Sequence, residues 1–299
     1  MTAAADEARR PRRGPLAWLA LLARGVAMGI AELVPGVSGG TIAFVSGIYE
    51  ELVTTLARLR PAGVVMLLRD GPVLVWREFN LGFLAVLAAG MVLAVVTFAR
   101  VFEYLLDHVP TLVWAFFFGI IAASVVQIGR FRRWRPLLGY GLVGLLVALA
   151  VLQLGHREGA APLWMFFLGG MVAVSAWLLP AVSGSFLLLV LGLYEPVLRA
   201  FNAGEWLVPA TLAAGCGVGL LAFSRALHWL MQRLREPVLC VLTGFMAGSL
   251  WRLWPWQAEG TMVSPAGYEA LTGQPALLPG ALVTLALGVL ALWLLSRLE

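Results

Sequence analysis

PGVSGGTIAFVSGIYE over residues 35–50 returns as PAVSGSFLLLVLGLYE over residues 180–195. Pro35, Val37, Ser38, Gly39, Gly47, Tyr49 and Glu50 recur as Pro180, Val182, Ser183, Gly184, Gly192, Tyr194 and Glu195, at a constant offset of 145. A second ungapped match, at an offset of 125, pairs Gly90, Phe98, Arg100, Gly119 and Ser124 with Gly215, Phe223, Arg225, Gly244 and Ser249. Two blocks in the same order in both halves mark an internal duplication, and a duplication decides architecture before any single element is read. The change of offset places 20 extra residues in the first half, around residues 58–80, where an in-plane amphipathic insert is expected.

Of 299 residues, 61% are hydrophobic and 12% charged, about half the charge fraction of a soluble domain. Apolar runs at 81–96, 112–128, 137–154 and 277–295 approach the roughly 20 residues that cross hydrocarbon as a helix. A water-soluble fold has nowhere to bury such runs. All basic residues are arginine, with a net charge of +5. They sit between apolar runs, so they read as topology determinants, not as a nucleic-acid surface. Arg9, Arg10, Arg12 and Arg13 before residues 16–23 imitate a signal peptide, but Arg24 interrupts the apolar run, and the segment is read as a retained first helix. Cys216 and Cys240 lie in apolar runs and read as packing residues.

Arginine placement predicts orientation. The N-terminus, residues 58–77, the cluster Arg130, Arg132, Arg133 and Arg135, and the group Arg225, Arg233 and Arg235 are predicted cytoplasmic. Residues 103–110, 155–162, 201–206 and 254–279 are arginine-poor and are predicted outside, with Trp164, Trp206, Trp251, Trp254 and Trp256 as interfacial anchors. Each half then comprises one re-entrant unit plus three spans, an odd number of crossings that inverts the second half. The expected fold is an all-α polytopic membrane protein of two inverted repeats with both termini cytoplasmic. A tail, 1–15, precedes repeat 1 at 16–155, which holds re-entrant unit 16–57, the insert 58–80 and three spans. Repeat 2 at 156–299 holds re-entrant unit 163–200, three spans and the outer loop 254–279, and together the repeats form one membrane domain.

Pro35 cannot continue a helix interior, and Gly36, Gly39 and Gly40 loosen the chain where hydrocarbon forbids exposed irregular backbone. A broken or re-entrant helix resolves the conflict. Ser38 and Ser183 are then placed to N-cap second helices at 41–55 and 186–198, whose first amides favour an anion. Two tips entering from opposite faces meet near the midplane, as in secondary transporters. The candidate binding residues are Ser38, Gly39, Gly40 and Thr41 with Ser183, Gly184 and Ser185; close helix packing by small residues is the alternative role.

Charges inside a membrane are expensive and point to function. Arg24 and Glu32 are eight residues apart, about 12 Å along one helix, and could bracket a head group; Arg24 could instead snorkel to the surface. Their counterparts are Gly169 and Trp177, so the polar equipment of the halves is unequal. Arg100 and Arg225, expected to end matched helices, and Glu50 and Glu195, expected at interfaces, are secondary candidates. His108, His156 and His228 fall near loops. No metal set or cofactor is expected, whereas coupling to a proton or sodium gradient through Glu32 is.

The stretch MGIAELVPGVSGGTIAF over residues 28–44, followed by SGIYE over 46–50, resembles a bacterial membrane family catalogued as domain of unknown function family 368, nearly end to end. The resemblance implies polyprenyl-phosphate transport of the PopT type, returning undecaprenyl phosphate to the cytoplasmic leaflet of the inner membrane for cell-wall synthesis. Ala181 and Ser185 stand where the first motif has Gly36 and Gly40, which puts equal roles for the tips in doubt. Undecaprenyl-pyrophosphate phosphatases of the BacA type also carry a Glu before a Pro- and Ser-rich turn, but only Glu32 is available here, and metal-assisted phosphoryl chemistry needs further ligands. A channel or accessory subunit would need no anion site. The expected partners are a polyprenyl phosphate and membrane lipids, without nucleic acid; the oligomeric state is open.

Overall fold

The computed structural model describes residues 13–33, 38–60, 62–130, 134–152, 161–180, 183–258 and 261–297. Arg9, Arg10, Arg12, Pro35, Gly36, Val37, Arg132, Arg133, His156, Ala181 and Val182 lie outside the described residues, so the expectations resting on them do too. The described chain is helical apart from one two-residue β-hairpin.

The first half runs α1 (Pro15–Glu32), α2 (Gly39–Val45), α3 (Tyr49–Arg58), α4 (Ala62–Asp70), α5 (Pro72–Glu78), α6 (Leu81–His108), α7 (Pro110–Arg130) and α8 (Trp134–Leu152). The second runs α9 (Leu163–Leu178), α10 (Gly184–Val190), α11 (Tyr194–Asn202), α12 (Leu207–Arg233) and α13 (Arg235–Ser249), then β1 (Gln257–Ala258), β2 (Thr261–Met262), α14 (Pro265–Thr272) and α15 (Leu278–Ser296). Element for element, α1, α2, α3, α6, α7 and α8 match α9, α10, α11, α12, α13 and α15. The extra residues of the first half form α4 and α5.

Five described helices are long and apolar enough to span a bilayer: Pro15–Glu32, Leu81–His108, Pro110–Gly129, Leu207–Arg233 and Leu278–Leu295. The segments expected as single second helices, 41–55 and 186–198, are each broken. Gly47 and Gly192 adopt positive φ values of 78° and 70°, a conformation glycine reaches without steric cost, and α10 and α11 meet at 99°. The tyrosine and glutamate that close each motif therefore start a new short helix.

Packing repeats with the sequence. Helix α1 packs on α6 and α9 on α12, while α7 packs on α15 and α8 on α13, so the last two pairs each join one helix from each half. Glycines let these backbones touch. A Cβ on Gly25 would meet the Leu87 carbonyl at 2.5 Å, and one on its repeat mate Gly170 the Leu212 carbonyl at 2.3 Å. Likewise Gly90 faces the Leu22 carbonyl at 2.5 Å and Gly215 the Phe167 carbonyl at 2.0 Å. Between halves, Gly288 meets Phe116 and Gly144 meets Val241 in the same fashion. Such approach is how helices associate where lipid removes the hydrophobic drive.

The segment expected as an outer loop, 254–279, carries structure of its own. Trp254 Nε1 donates to the Val263 carbonyl and Trp256 Nε1 to the Ala276 carbonyl, both at 2.9 Å. Trp256 and Tyr268 pack with Ala115 of α7 and Ala281 of α15.

These contacts make a sign-specific prediction. A Cβ on Gly244 would stand 1.8 Å from the Gly141 carbonyl, whereas one on exposed Gly217 meets nothing within 4 Å. Gly244→Ala should lower the unfolding midpoint in detergent by the equivalent of about 1–3 kcal/mol through overpacking. Gly217→Ala should leave it unchanged or raise it through helix propensity. Equal responses would contradict the α8–α13 contact.

Candidate functional site where the first tip meets helix α9

Helix α9 stops at Leu178, leaving terminal carbonyls without helical partners. The first unit supplies donors. Ser38 Oγ donates to the Trp177 carbonyl at 3.1 Å, and the hydroxyl of buried Tyr49 donates to the Leu178 carbonyl at 2.8 Å. The Trp177 indole N–H in turn donates to Glu32 Oε1 at 2.7 Å. Glu32 and Trp177 are repeat mates, so equivalent positions of the two halves bond directly to each other.

The same carboxylate serves its own tip. Gly39 N–H donates to Glu32 Oε1 at 2.6 Å, Gly40 N–H to Ser38 Oγ at 3.1 Å, and Thr41 N–H to the Ser38 carbonyl at 2.9 Å. Ser38 is thus the N-cap of α2. The amides of Gly39 and Gly40, read from sequence as donors for a ligand, are engaged within the tip. Ser38 and Thr41 are fully buried. Glycine is required at position 40 because a Cβ there would lie 2.6 Å from the Trp177 carbonyl.

The second tip is built alike within its own unit but differs in what it touches. A Cβ on Gly184 would meet the Ala173 carbonyl at 2.4 Å, as one on Gly39 would meet that of Met28 at 3.3 Å; Met28 and Ala173 are repeat mates. Ser183 caps α10 by accepting from Phe186 N–H at 3.4 Å, and its hydroxyl lies 2.9 Å from that of Ser185. Ser185 is exposed. The mirror of the first docking would carry Ser183 to the Glu32 carbonyl and Tyr194 to that of Leu33. Instead Tyr194 is 43% exposed, and among the described residues neither bond is formed.

The asymmetry extends to the helices that follow. Helix α3 packs along α12, whereas α11 makes no comparable contact with α6 among the described residues. A polar seam holds α3: Glu50 pairs with Arg235, Thr54 Oγ1 lies 3.2 Å from His228 Nδ1, and Arg225 donates to the Leu59 carbonyl. Glu195 turns instead to Arg199 of its own helix.

The structure therefore sorts the candidate residues. Ser38, Gly39, Gly40, Thr41 and Glu32 gather with Trp177 at the junction, and Ser183, Gly184 and Ser185 form the second tip. Arg24 is buried inside the protein at 8% exposure, not extended to the surface. Arg225 belongs to the α3–α12 seam, Glu50 pairs beside it with Arg235 at the start of α13, and Glu195 lies on the exposed face of α11. Arg100 and Arg225 do not end their helices: each lies eight residues before the last residue, His108 or Arg233. Sequence reasoning passed over Tyr49 and Trp177 as contact-making residues. It also passed over Arg252, whose guanidinium stands 5.7 Å from the Phe186 ring centre; an arginine just before the arginine-poor stretch 254–279 was the available signal. Among the described residues, no three His, Cys, Asp or Glu side chains converge as a metal set.

A family model described as VCA0040-like, undecaprenyl phosphate translocase-like, matches residues 28–269. A polyprenyl-phosphate transporter of Vibrio cholerae is 37% identical over 278 residues, covering 86% of this chain and 89% of the relative. One of Staphylococcus aureus is 31% identical over 261 residues, covering 80% and 86%. No solved structure matches the chain.

The Glu32–Trp177 bond gives a direct test of the junction. In a double-mutant cycle of Glu32→Ala and Trp177→Phe, read by unfolding in detergent, the two changes should be non-additive by about 1 kcal/mol. Strict additivity would mean that the two halves do not meet through this pair.

Proposed function

The chain belongs to the undecaprenyl phosphate translocase-like family, and on that footing we propose that it is a multi-pass transporter returning an anionic polyprenyl lipid, undecaprenyl phosphate, to the cytoplasmic leaflet of a bacterial inner membrane for cell-envelope synthesis. The relatives named polyprenyl-phosphate transporter supply the substrate class. The observation that carries the mechanism is the one-sided docking of the tips: Ser38 and Tyr49 hold the end of α9, while their mates Ser183 and Tyr194 leave the end of α1 unengaged.

With the halves inverted in the membrane, the two tips enter from opposite faces. Docking one tip closes the site to one side, and exchanging it for the other opens the site to the opposite side, the alternating access of inverted-repeat transporters. The α3–α12 seam belongs to the first docking. A packing of α11 on α6 belongs to the second. The C55 chain stays in lipid throughout, since each CH2 withdrawn from hydrocarbon would cost about 0.8 kcal/mol; the head group alone crosses through protein. Buried Arg24 supplies a cation along its path, and charge interactions strengthen in a low-dielectric interior. Glu32, bonded to the first tip and to the end of α9, is the group through which a proton or sodium gradient couples to the exchange.

Two measurements test this reading. In a background lacking Cys216 and Cys240, single cysteines in the 130–135 loop should label from the cytoplasm, and those in 254–279 from the opposite side. Labelling of both from one side removes the inversion. In liposomes, Arg24→Ala should abolish polyprenyl-phosphate uptake by deleting the buried charge. Gly39→Val should do the same, because a Cβ there lies 2.8 Å from Glu32 Oε1. Glu32→Gln should still bind lipid but lose the pH dependence of transport, and Arg100→Ala, on an exposed face of α6, should be milder than Arg24→Ala. Wild-type uptake by both Arg24→Ala and Gly39→Val would sink the site.

A further inference from the structure

Helices α4 and α5 form the insert that only the first half carries, and the packing around them fixes its depth. A Cβ on Gly25 would meet Leu87 and Gly90, and one on Gly29, a turn further along, Met91 and Ala94. Helices α1 and α6 therefore run parallel, and their first residues, Pro15 and Leu81, lie at one face of the bilayer. Two indoles mark that level. A Cβ on Gly82 would stand 3.3 Å from Trp76 Nε1 and 3.4 Å from Trp18 Cη2. The Arg13 guanidinium stands 5.6 Å from the Trp18 ring centre and 5.1 Å from that of Phe83. Tryptophan gathers at membrane–water interfaces, with arginine on the water side.

The insert leaves and rejoins the body at one point. Asn80, just before α6, donates through Nδ2 to Glu51 Oε1 at 3.2 Å and to Thr55 Oγ1 at 3.3 Å, both on α3. Buried Phe79 closes the base, where a Cβ on Gly63 would lie 2.7 Å from its ring. Helix α4 has nine residues and α5 seven, about 14 Å and 10 Å of rise, well short of a hydrocarbon core of about 30 Å. Neither helix can span. Gly71, at a φ of 85°, turns the chain between them, and on both sides of the turn large apolar side chains face outward. Leu68 is 82% exposed and Val73 67%, with Leu67, Leu74 and Trp76 exposed beside them. Arg60, Arg69 and Arg77 are exposed in the same segment, against Asp70.

We propose that the α4–α5 hairpin is a membrane-surface platform: Leu67, Leu68, Val73 and Leu74 enter the acyl boundary of the adjoining leaflet, while Arg60 and Arg69 hold the head groups of anionic phospholipids. Two observations select lipid as the occupant. The hairpin springs from the interface level set by Trp18 and Trp76, so the head-group layer lies within its reach. Its exposed surface also joins apolar side chains to arginines, the combination by which in-plane helices hold a bilayer surface, and each basic residue beside an anionic leaflet adds to the hold. The hairpin continues α3, the helix that flanks the first tip, and has no counterpart after α11. The lipid surface thus grips one half of the duplicated chain. This inference goes beyond the transport reading and needs only the membrane-spanning fold.

The test uses the full chain in a background lacking Cys216 and Cys240, with a bimane fluorophore on Leu67→Cys, in nanodiscs of phosphatidylcholine or of phosphatidylcholine and phosphatidylglycerol in equal parts. Brominated acyl chains should quench the probe, and acrylamide, a neutral quencher confined to water, should reach it poorly, least of all in the anionic mixture. Leu68→Asp with Val73→Asp should exchange chain quenching for acrylamide quenching. The unfolding midpoint in detergent should stay at the wild-type level, because both side chains are exposed. Arg60→Gln with Arg69→Gln should keep chain quenching but lose the added shielding that phosphatidylglycerol confers. A probe open to acrylamide and untouched by brominated chains, without the aspartates, overturns the platform. Shielding from both quenchers, with disulfide cross-linking between copies through the Leu67→Cys thiol, would make the hairpin an interface between two chains and overturns the lipid assignment. Equal shielding in the two lipid compositions, unaltered by the arginine substitutions, overturns the role of anionic head groups.

Discussion

A helix that ends inside a membrane protein exposes carbonyls that lipid cannot satisfy, and the cost of each unpaired group is several kcal/mol. The end of α9 is such a place, and the rest of the junction follows from how it is satisfied. Ser38 and Tyr49 reach across from the other half to donate to Trp177 and Leu178. That reach demands glycine at position 40 and brings Glu32 against the Trp177 indole. One backbone requirement thereby places a serine, a tyrosine, a glycine and a carboxylate.

Glycine contacts make the surrounding frame stiff enough for such bonds to matter. The α1–α6 and α9–α12 pairs lie within halves, but α7–α15 and α8–α13 cross between them, so neither half has a complete set of partners without the other. The elements outside these seams are the tips and the short helices after them. Helices α3 and α11 differ most in their packing while sharing sequence, and they flank the tips directly.

Much of this was legible in the sequence because repeated backbone needs leave repeated residues. The Pro, Ser and Gly of the motif announced a break, and Ser38 and Ser183 were identifiable as caps from their chemistry and place. The second break, at Gly47 and Gly192, was equally repeated but fell inside segments apolar enough to pass as continuous helices. Residues 254–279 read as a loop because their order comes from indole N–H bonds to distant carbonyls, which leave no periodicity. Arg252 was hidden for a related reason: its place over Phe186 depends on where α13 stops, a tertiary fact, and its tryptophan neighbours suggested only an interface. Arg100 and Arg225 were placed at helix ends because apolar runs end there, whereas the helices continue for two more turns as amphipathic extensions.

The close approach of Gly40 to the Trp177 carbonyl has a thermodynamic corollary. In the mirror arrangement its mate, Ser185, would present a Cβ to the Glu32 carbonyl at a spacing that a Cβ cannot occupy, 2.6 Å in the formed contact. Under the proposed exchange the two dockings would consequently not be degenerate: the second would be looser, and the resting population skewed toward the first. A bound lipid would then have to favour the minor arrangement by at least that difference in free energy before the populations could cross. A side chain present at position 185 and absent at position 40 would thus set a preferred direction of rest, alongside the other inequalities of the two halves.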